Sequence, residues 1–274
     1  NEGYLYAGHN RNGYVYLYRV PPGGGAAHFW GSRWMIDPDG VAVSGEYVYS
    51  AGHRDVYRTH RATGFTEVWA DYSTNRNMAA IAVDDRGDYG SPGDVIIANA
   101  RRGNDVETID ATTREATTLV SSRDLKIPRS LQFVAGQLYC VEERAAPGVW
   151  RIGPDGALSF VDDGGFPWEF PRAMRYDPLR DAFLVGDTDR GEIVSVARYG
   201  GATDVVGWGF DDLSGLAFDQ RGWLYATDQE NDVIWQFRIP EPSGLAVGLI
   251  TLAMSIVVIV GKRPSICPAD RRHA

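Results

Sequence analysis

The stretch Gly215–Phe237, GLAFDQRGWLYATDQENDVIWQF, decides the fold of this chain. It contains three short apolar runs separated by two turns. The runs are Leu216–Phe218, Trp223–Ala226 and Val233–Phe237, and the turns are Asp219–Gly222 and Asp228–Asn231. Aromatic and β-branched residues between turns of Asp, Asn and Gly predict short antiparallel strands.

The first of these strands recurs along the chain. Similar runs start at Val41, Ile81, Leu131, Met174 and Leu216, which are separated by 40, 50, 43 and 42 residues. The long interval holds an insertion at 88–93, whose glycines and proline mark an extended turn. Further strand-like runs follow each start, so that most repeats hold four short strands. Four strands in a repeat of about 40–45 residues predict the blades of a β-propeller.

The two ends of the repeat region are incomplete. Before Val41, strands are expected at Tyr4–Ala7, Tyr14–Arg19 and Ala27–Trp30, without a first strand. The last repeat has three strands and no fourth. Propellers commonly close by combining strands from both chain ends. We therefore expect an all-β fold, a six-bladed β-propeller of four-stranded antiparallel blades over 1–239, N-terminally incomplete because its missing strands would precede Asn1. Five blades plus a half-blade would leave open sheet edges.

The repeat at Gly215–Phe237 resembles the units of the NHL and SMP-30/gluconolactonase-like superfamily of six-bladed propellers, and similar units cover most of the chain. The resemblance implies an architecture. It implies much less about activity, because propellers carry many unrelated functions.

Residues 240–274 differ from the repeats. Pro240, Glu241, Pro242 and Ser243 precede an uncharged, mostly apolar segment at 244–261, and Lys262 and Arg263 follow it. The segment is near the lower length limit for a helix that crosses a bilayer. Basic residues mark the cytoplasmic end of such a helix. We therefore expect a single C-terminal transmembrane helix over 244–261 and a basic tail, with the propeller outside the cytoplasm.

The order of this motif, apolar span and basic end resembles the PEP-CTERM sorting signal of Gram-negative bacteria. The resemblance implies processing by an exosortase, a membrane cysteine protease. It also implies export to the cell envelope or the extracellular matrix, where such proteins are tied to exopolysaccharide or biofilm. The chain departs from the family by continuing from Pro264 to Ala274. A plain membrane anchor is the alternative.

Bulk composition restricts the function further. The net charge of -9 gives little electrostatic support for nucleic-acid binding. The two cysteines, Cys140 and Cys267, lie in different regions of the chain, so no disulfide framework is predicted. Motifs of the Gly-x-Ser-x-Gly or His-Glu-x-x-His type, which would indicate a hydrolase, are not found.

Polar residues follow the second strand of each repeat. In a propeller these positions open on the channel face, where ligands usually bind. The residues are His9, His53, Asn99, Glu142, Asp187 and Asp228. Their side chains include possible metal ligands, so one interpretation is a ring of ligands around the channel mouth. The other interpretation, which we favour, is that they serve turn geometry, because turn chemistry alone predicts this composition.

Arginines recur before the first strand, at Arg76, Arg129 and Arg172. Their guanidinium groups could hold an anion or a sugar carboxylate on the same face. Pairing with the acidic residues is favoured over this in a chain of negative net charge. Trp168 lies in the aromatic loop 164–171 and could stack on a sugar.

The lactonases of the superfamily carry metal-binding Asn or Asp directly before the first strand. By the resemblance, the corresponding positions are Asp39, Ala80, Ser130, Ala173 and Ser214. One carboxylate among five positions does not make a divalent-cation site. No cofactor is firmly implied. Calcium or another divalent cation is kept as a possibility, with Asp39, Asp187 and Asp228 as the candidate ligands.

The function expected from the sequence is an exported, surface- or matrix-associated propeller that binds or scaffolds without catalysis. Its expected partners are an exosortase, the membrane through the C-terminal helix, and exopolysaccharide or a small ligand. The alternative is a secreted, metal-dependent hydrolase similar to SMP-30 and gluconolactonase.

Overall fold

The computed structural model describes residues 4–11, 14–21, 28–29, 40–52, 54–72, 78–100, 105–201, 203–231, 233–239 and 255–257. All helix or strand structure in these ranges is β-strand, arranged in six antiparallel sheets. The first sheet has three strands: β1 (Leu5–Arg11), β2 (Tyr14–Val20) and β3 (His28–Phe29).

Five four-stranded blades follow in chain order. Blade 1 contains β4 (Gly40–Ser44), β5 (Tyr47–Ala51), β6 (Asp55–His60) and β7 (Thr66–Asp71). Blade 2 contains β8 (Met78–Asp84), β9 (Asp94–Asn99), β10 (Asp105–Ile109) and β11 (Ala116–Ser121). Blade 3 contains β12 (Pro128–Val134), β13 (Gln137–Glu142), β14 (Gly148–Ile152) and β15 (Leu158–Phe160). Blade 4 contains β16 (Pro171–Asp177), β17 (Ala182–Asp187), β18 (Glu192–Ala197) and β19 (Thr203–Trp208). Blade 5 contains β20 (Leu213–Phe218), β21 (Leu224–Asp228), β22 (Val233–Phe237) and β23 (Ser255–Val257).

The second strand of each blade is buried on both faces, because each blade packs between two neighbours. In β17 every residue is buried, and Phe183, Leu184 and Val185 are fully inaccessible. The outer strand β19 shows the opposite pattern, with Val205 and Trp208 exposed. Adjacent first strands contact one another, from β4 through β8, β12 and β16 to β20. The first strands therefore surround the centre of the molecule.

The three-stranded sheet fills the space between blades 1 and 5. Leu17 packs against Val48 and Tyr57 of blade 1. Val20, near the other end of the same strand, packs in a cluster with Tyr225 and Ile234 of blade 5. The ring of sheets therefore closes through β2.

The β-propeller prediction is confirmed, but the predicted six four-stranded blades are wrong. The structure has five such blades, because the sheet before blade 1 has only three strands. The runs expected at Tyr4–Ala7, Tyr14–Arg19 and Ala27–Trp30 correspond to β1, β2 and β3. Among the described residues, only these three strands lie upstream of blade 1.

The C-terminal prediction is also corrected. Ser255–Val257 form β23, which pairs with β22 and places Ile256 opposite Trp235. These residues were expected within the transmembrane helix, and blade 5 was expected to lack a fourth strand. The free edge of β22 offers unpaired N–H and C=O groups that an extended, β-branched segment can satisfy. The described residues include no helix that is long and apolar enough to cross a membrane. The motif Pro240–Ser243 lies outside them.

The insertion at 88–93 links blade 2 to blade 3. The Asp84 carboxylate accepts hydrogen bonds from the N–H groups of residues 86–89, which holds the loop in shape. The Tyr89 hydroxyl then donates to the carbonyl of Ile152 and accepts from the N–H of Leu138 at 2.9 Å. Its ring lies 5.2 Å from that of Phe133. Tyr89 is 8% exposed, so these bonds are shielded from water.

We expect Tyr89→Phe to lower the free energy of unfolding by about 1–3 kcal/mol, because the buried N–H of Leu138 would lose its acceptor. Urea denaturation followed by tryptophan fluorescence measures this change. Tyr199→Phe is the matched control, since the Tyr199 side chain is 80% exposed, and it should alter stability by less than about 0.5 kcal/mol. Equal effects of the two substitutions would contradict the proposed link between the blades.

Candidate binding site at the channel mouth

The first strands of four blades share a β-bulge at the same place. The register shifts between Met78 and Ala80, between Pro128 and Ser130, between Pro171 and Ala173, and between Leu213 and Gly215. The extra residues are therefore Ala79, Arg129, Arg172 and Ser214. A bulged residue leaves the ladder and its side chain is turned in a new direction. Arg129 and Arg172 thus come from equivalent positions in adjacent blades.

The bulges correct the alignment of the lactonase-type metal positions. Ala80, Ser130 and Ala173 are equivalent to Gly215, not to Ser214. The sequence alignment slipped by one residue because a bulge adds a residue without changing the apolar pattern. The true equivalents of Ser214 are Ala79, Arg129 and Arg172, and none of these carries a carboxylate or amide. Asp39 lies outside the described residues.

Three arginines converge on one buried carboxylate, Glu143. The side chain of Glu143 is fully inaccessible to solvent. It forms an ion pair with Nε of Arg129, and its oxygens lie 3.1 Å from Nε of Arg144 and 3.6 Å from Nε of Arg172. A buried carboxylate requires such partners, since an unpaired one would be strongly destabilising. The arginines predicted on the channel face are thus brought together with an acidic residue.

Phe170 completes this cluster. The guanidinium carbon of Arg172 lies 4.8 Å from the centre of the Phe170 ring, and that of Arg144 lies 5.4 Å from it. Arg172 also approaches Asp212 at 3.5 Å. A cavity of about 380 Å³ opens beside the cluster and is lined by Glu143, Arg144, Pro147, Glu169, Phe170 and Asp189.

The Trp168 side chain already has contacts within the protein, which leave less of its ring for stacking on a sugar than the sequence suggested. Its Nε1 donates a hydrogen bond to Asp163, and its ring centre lies 4.6 Å from that of Phe166. Both rings are half-buried against the core shared by blades 3 and 4. The guanidinium carbon of Arg190 lies 5.3 Å from the centre of the Phe166 ring. Arginines from neighbouring segments therefore lie over the aromatic rings of this loop, while part of the surface of Trp168 is used for packing.

The acidic residues after the second strands bind the main chain. Glu142, Asp187 and Asp228 are each no more than 1% exposed. Each accepts hydrogen bonds from N–H groups that precede the first strand of its own blade. The donors are Ile127 for Glu142, Glu169 and Phe170 for Asp187, and Asp211 and Asp212 for Asp228, at 2.8–3.3 Å. These carboxylates thus position the loops of the channel face.

The ionisation of Asp228 reflects this role. Burial by itself would raise the pKa of Asp228. Hydrogen bonds from the Asn231 side chain, from the N–H groups of Asp211 and Asp212, and from Trp235 outweigh burial and lower the pKa below its ordinary value. Asp228 is therefore held as a carboxylate at neutral pH.

The other predicted residues are less well defined. The side-chain nitrogen of Asn99 donates to Glu107 at 3.0 Å, whereas its oxygen has no partner in the described part of the chain. His53 and Arg76 lie outside the described residues, as does the side chain of His9. Across the described ranges, no three His, Cys, Asp or Glu side chains are grouped closely enough to hold a metal ion.

Sequence reasoning missed Glu143, Arg144 and Phe170. Glu143 and Arg144 directly follow the predicted Glu142, and the doubled Glu at a strand end is the signal that could have drawn attention to them. Phe170 alternates with Phe166 and Trp168 in the loop that the sequence had singled out for Trp168 alone. The buried state of Glu143 depends on contacts between blades, which no local pattern reveals.

Two solved structures have a similar fold. One chain in the crystal structure of a nidogen/laminin complex is 15% identical, with a TM-score of 0.69 over 86% of this chain and 89% of that one. A protein of unknown function from Bacteroides thetaiotaomicron is 14% identical, with a TM-score of 0.66 over 83% of this chain and 64% of that one. This chain therefore spans less than two thirds of the Bacteroides protein. At such identities the likeness shows the β-propeller fold alone.

No protein-family model and no curated protein matches this sequence. The resemblances to NHL and SMP-30-like repeats and to the PEP-CTERM signal therefore stay predictions.

We expect Asp228→Asn to lower the free energy of unfolding by about 1–3 kcal/mol at pH 7, because the N–H groups of Asp211 and Asp212 would lose a charged acceptor. The difference in unfolding free energy between the wild type and Asp228→Asn should become smaller at acidic pH. Since the pKa of Asp228 is lower in the folded than in the unfolded chain, the unfolded chain binds more protons below about pH 4, and the wild type loses this stabilisation there.

Urea denaturation at pH 7 and pH 3 measures both effects. Asp204→Asn, on the exposed face of β19, is the control, and it should change stability little at either pH. A deficit for Asp228→Asn that stays constant between the two pH values would contradict the assignment of a lowered pKa.

Proposed function

We propose that this protein is an exported, non-enzymatic propeller that binds an anionic saccharide at the channel mouth. The observation that supports this most is the convergence of Arg129, Arg144 and Arg172 on Glu143 beside the ring of Phe170. Carboxylate-bearing sugars match both parts of this surface, because guanidinium groups bind carboxylates and aromatic rings contact the apolar faces of sugars.

The charge balance of the cluster favours an anion. Three guanidinium groups face two carboxylates, those of Glu143 and Asp212, so the cluster itself carries a net positive charge. The side chain of Arg144 is 60% exposed and uses only Nε toward Glu143. Among the described residues its terminal nitrogens form no hydrogen bond, so they can donate to a ligand. A guanidinium can hold a carboxylate through two parallel hydrogen bonds.

The adjoining cavity supplies the remaining contacts. Its volume of about 380 Å³ falls in the range of small-ligand sites. Glu169 and Asp189 on its wall can accept hydrogen bonds from sugar hydroxyl groups. They also oppose a polyanion with several charges on each sugar, so the cavity suits a saccharide with one carboxylate per sugar.

Binding without catalysis fits the acidic residues of the channel face. The carboxylates of Glu142, Asp187 and Asp228 accept hydrogen bonds from main-chain N–H groups and so have a structural role. A general base needs an oxygen within reach of a substrate proton. A chain of similar fold occurs in the crystal structure of a nidogen/laminin complex, and we propose that the present chain also uses its propeller for binding.

Export is proposed from residues 240–274. The motif Pro240–Ser243, the apolar span 244–261 and the basic residues after it are the features on which processing by an exosortase and association with the envelope rest. A matrix rich in acidic exopolysaccharide would then surround the channel mouth. The proposed location would thus expose the site to the proposed class of ligand.

We expect the full chain to bind polygalacturonate, and Arg144→Gln to weaken binding at least tenfold because an exposed guanidinium donor is lost. Binding should weaken as salt is added, since surface charges are screened. Surface plasmon resonance on immobilised polysaccharide gives both results. Arg221→Gln, on the turn between β20 and β21, is the matched control and should bind as the wild type does. Equal binding of the fully methyl-esterified polymer would overturn the proposal.

We expect the triple substitution Pro240→Ala, Glu241→Ala and Pro242→Ala to block processing in a Gram-negative host that produces an exosortase. The substitution leaves β23 intact, so the propeller itself is preserved. Mass spectrometry of envelope and medium fractions should find only the unprocessed chain in the variant. The sorting proposal is wrong if the variant and the wild type have the same mass and the same distribution.

A further inference from the structure

Arg175 stands apart from the other arginines of blade 4. It lies in β16, the first strand of that blade, between Met174 and Tyr176. The other four arginines of the blade each pair with a carboxylate: Arg172, Arg180, Arg190 and Arg198. Within the described ranges Arg175 forms no hydrogen bond, ion pair or ring contact.

The side chain of Arg175 faces blade 5. Met174 and Tyr176 pack into the core shared with blade 3, and successive side chains of a strand point to opposite faces. Arg175 is only partly exposed, and its crowded surroundings lower the pKa of its guanidinium through desolvation. The group stays protonated at any physiological pH. A charge that is partly removed from water without a partner is unfavourable, so its retention calls for a counter-charge.

At the interface between blades 3 and 4, the residue equivalent to Arg175 has a hydrogen-bond partner. Gln132 in β12 is equivalent to Arg175 in β16, because each lies three residues after the bulged arginine of its strand. Gln132 pairs with Tyr139, and Arg175 pairs with Leu184 at the same step of the ladder. The Oε1 of Gln132 accepts a hydrogen bond of 2.9 Å from the N–H of Tyr176, on the first strand of the next blade. An acceptor at this place thus satisfies the inner edge of the following blade.

At the interface between blades 4 and 5, Arg175, a hydrogen-bond donor, stands where the preceding interface has the acceptor Gln132. The residue in β20 that matches Tyr176 is Phe218, which pairs with Leu224 as Tyr176 pairs with Phe183. A guanidinium has no acceptor atom, so Arg175 cannot bind the Phe218 N–H as Gln132 binds that of Tyr176. Among the described residues no other side chain accepts from Phe218. Two donors, one of them charged, are therefore left at the same interface.

We propose that a small oxyanion binds between blades 4 and 5, held by the guanidinium of Arg175 and the N–H of Phe218, in the place that the Gln132 amide oxygen fills one blade earlier. Carboxylates and tetrahedral oxyanions both offer acceptors with the required charge. The site is separate from the Glu143 cluster, because Arg175 lies three residues beyond Arg172, which is about 10 Å along a strand.

Thermal unfolding of the full chain tests the proposal. Wild type and Arg175→Gln are titrated with sodium sulfate or sodium acetate, with sodium chloride keeping the ionic strength constant. The wild type should show a saturable rise in Tm with at least one of the two anions, because a ligand of the folded state raises stability with its concentration. In Arg175→Gln that saturable rise should disappear. Arg151→Gln, at an exposed position of β14, should retain it.

Without added anion, Arg175→Gln should unfold at a Tm no lower than that of the wild type, because the new amide can accept from Phe218 as Gln132 does from Tyr176. Arg175→Lys keeps the charge, and its saturable response should persist with weaker affinity, which gives a second test if the glutamine variant does not fold. A response to acetate identifies a carboxylate site, and a response to sulfate alone identifies a tetrahedral oxyanion site. The proposal is overturned if neither anion acts on the wild type, or if Arg175→Gln responds as the wild type does.

Discussion

The channel face depends on the hydrogen bonds that buried carboxylates accept from the loops before the first strands of blades 3, 4 and 5. Glu142, Asp187 and Asp228 each end a second strand and hold the main chain that leads into the neighbouring first strand. An unmade bond at such a buried place is costly, so these three side chains fix where the loops lie. The aromatic loop and the bulged arginines are placed by this arrangement.

The bulges act on the same face with a different result. Each bulge removes one residue of a first strand from the hydrogen-bond ladder, and the residue type at this position differs between blades. Blades 2 and 5 have the small residues Ala79 and Ser214 there, whereas blades 3 and 4 have Arg129 and Arg172. Arginines therefore occupy this position in two adjacent blades only, where they pair with Glu143 and Asp212. The asymmetry arises from substitution within a repeated backbone, which is how propellers carry different functions on one fold.

Much of the fold could be predicted from the sequence, since strand, turn and repeat spacing are local signals. The strands of blades 2 to 4 follow directly from the runs around Ile81, Leu131 and Met174. What could not be predicted is non-local. The pairing of β23 with β22 depends on an open edge, and the apolar composition of 244–261 gives the same signal for a membrane helix and for an extended strand. The arginines of the channel face were found from their recurrence. Their convergence on Glu143 depends on which blades face each other, as does the absence of a partner for Arg175 among the described residues.

The strand β23 has a consequence for how the two parts of this chain are related. Ser255–Val257 cannot pair with β22 and, at the same moment, lie inside a helix embedded in lipid. In the described structure this segment completes blade 5, so a membrane helix over 244–261 would require β23 to leave the edge of β22. A chain released by cleavage near Pro242 would lose this strand, and the vacated edge of β22 would become an accessible surface for another strand. Ser255–Val257 are thus both the outer strand of blade 5 and a cover for the edge of β22.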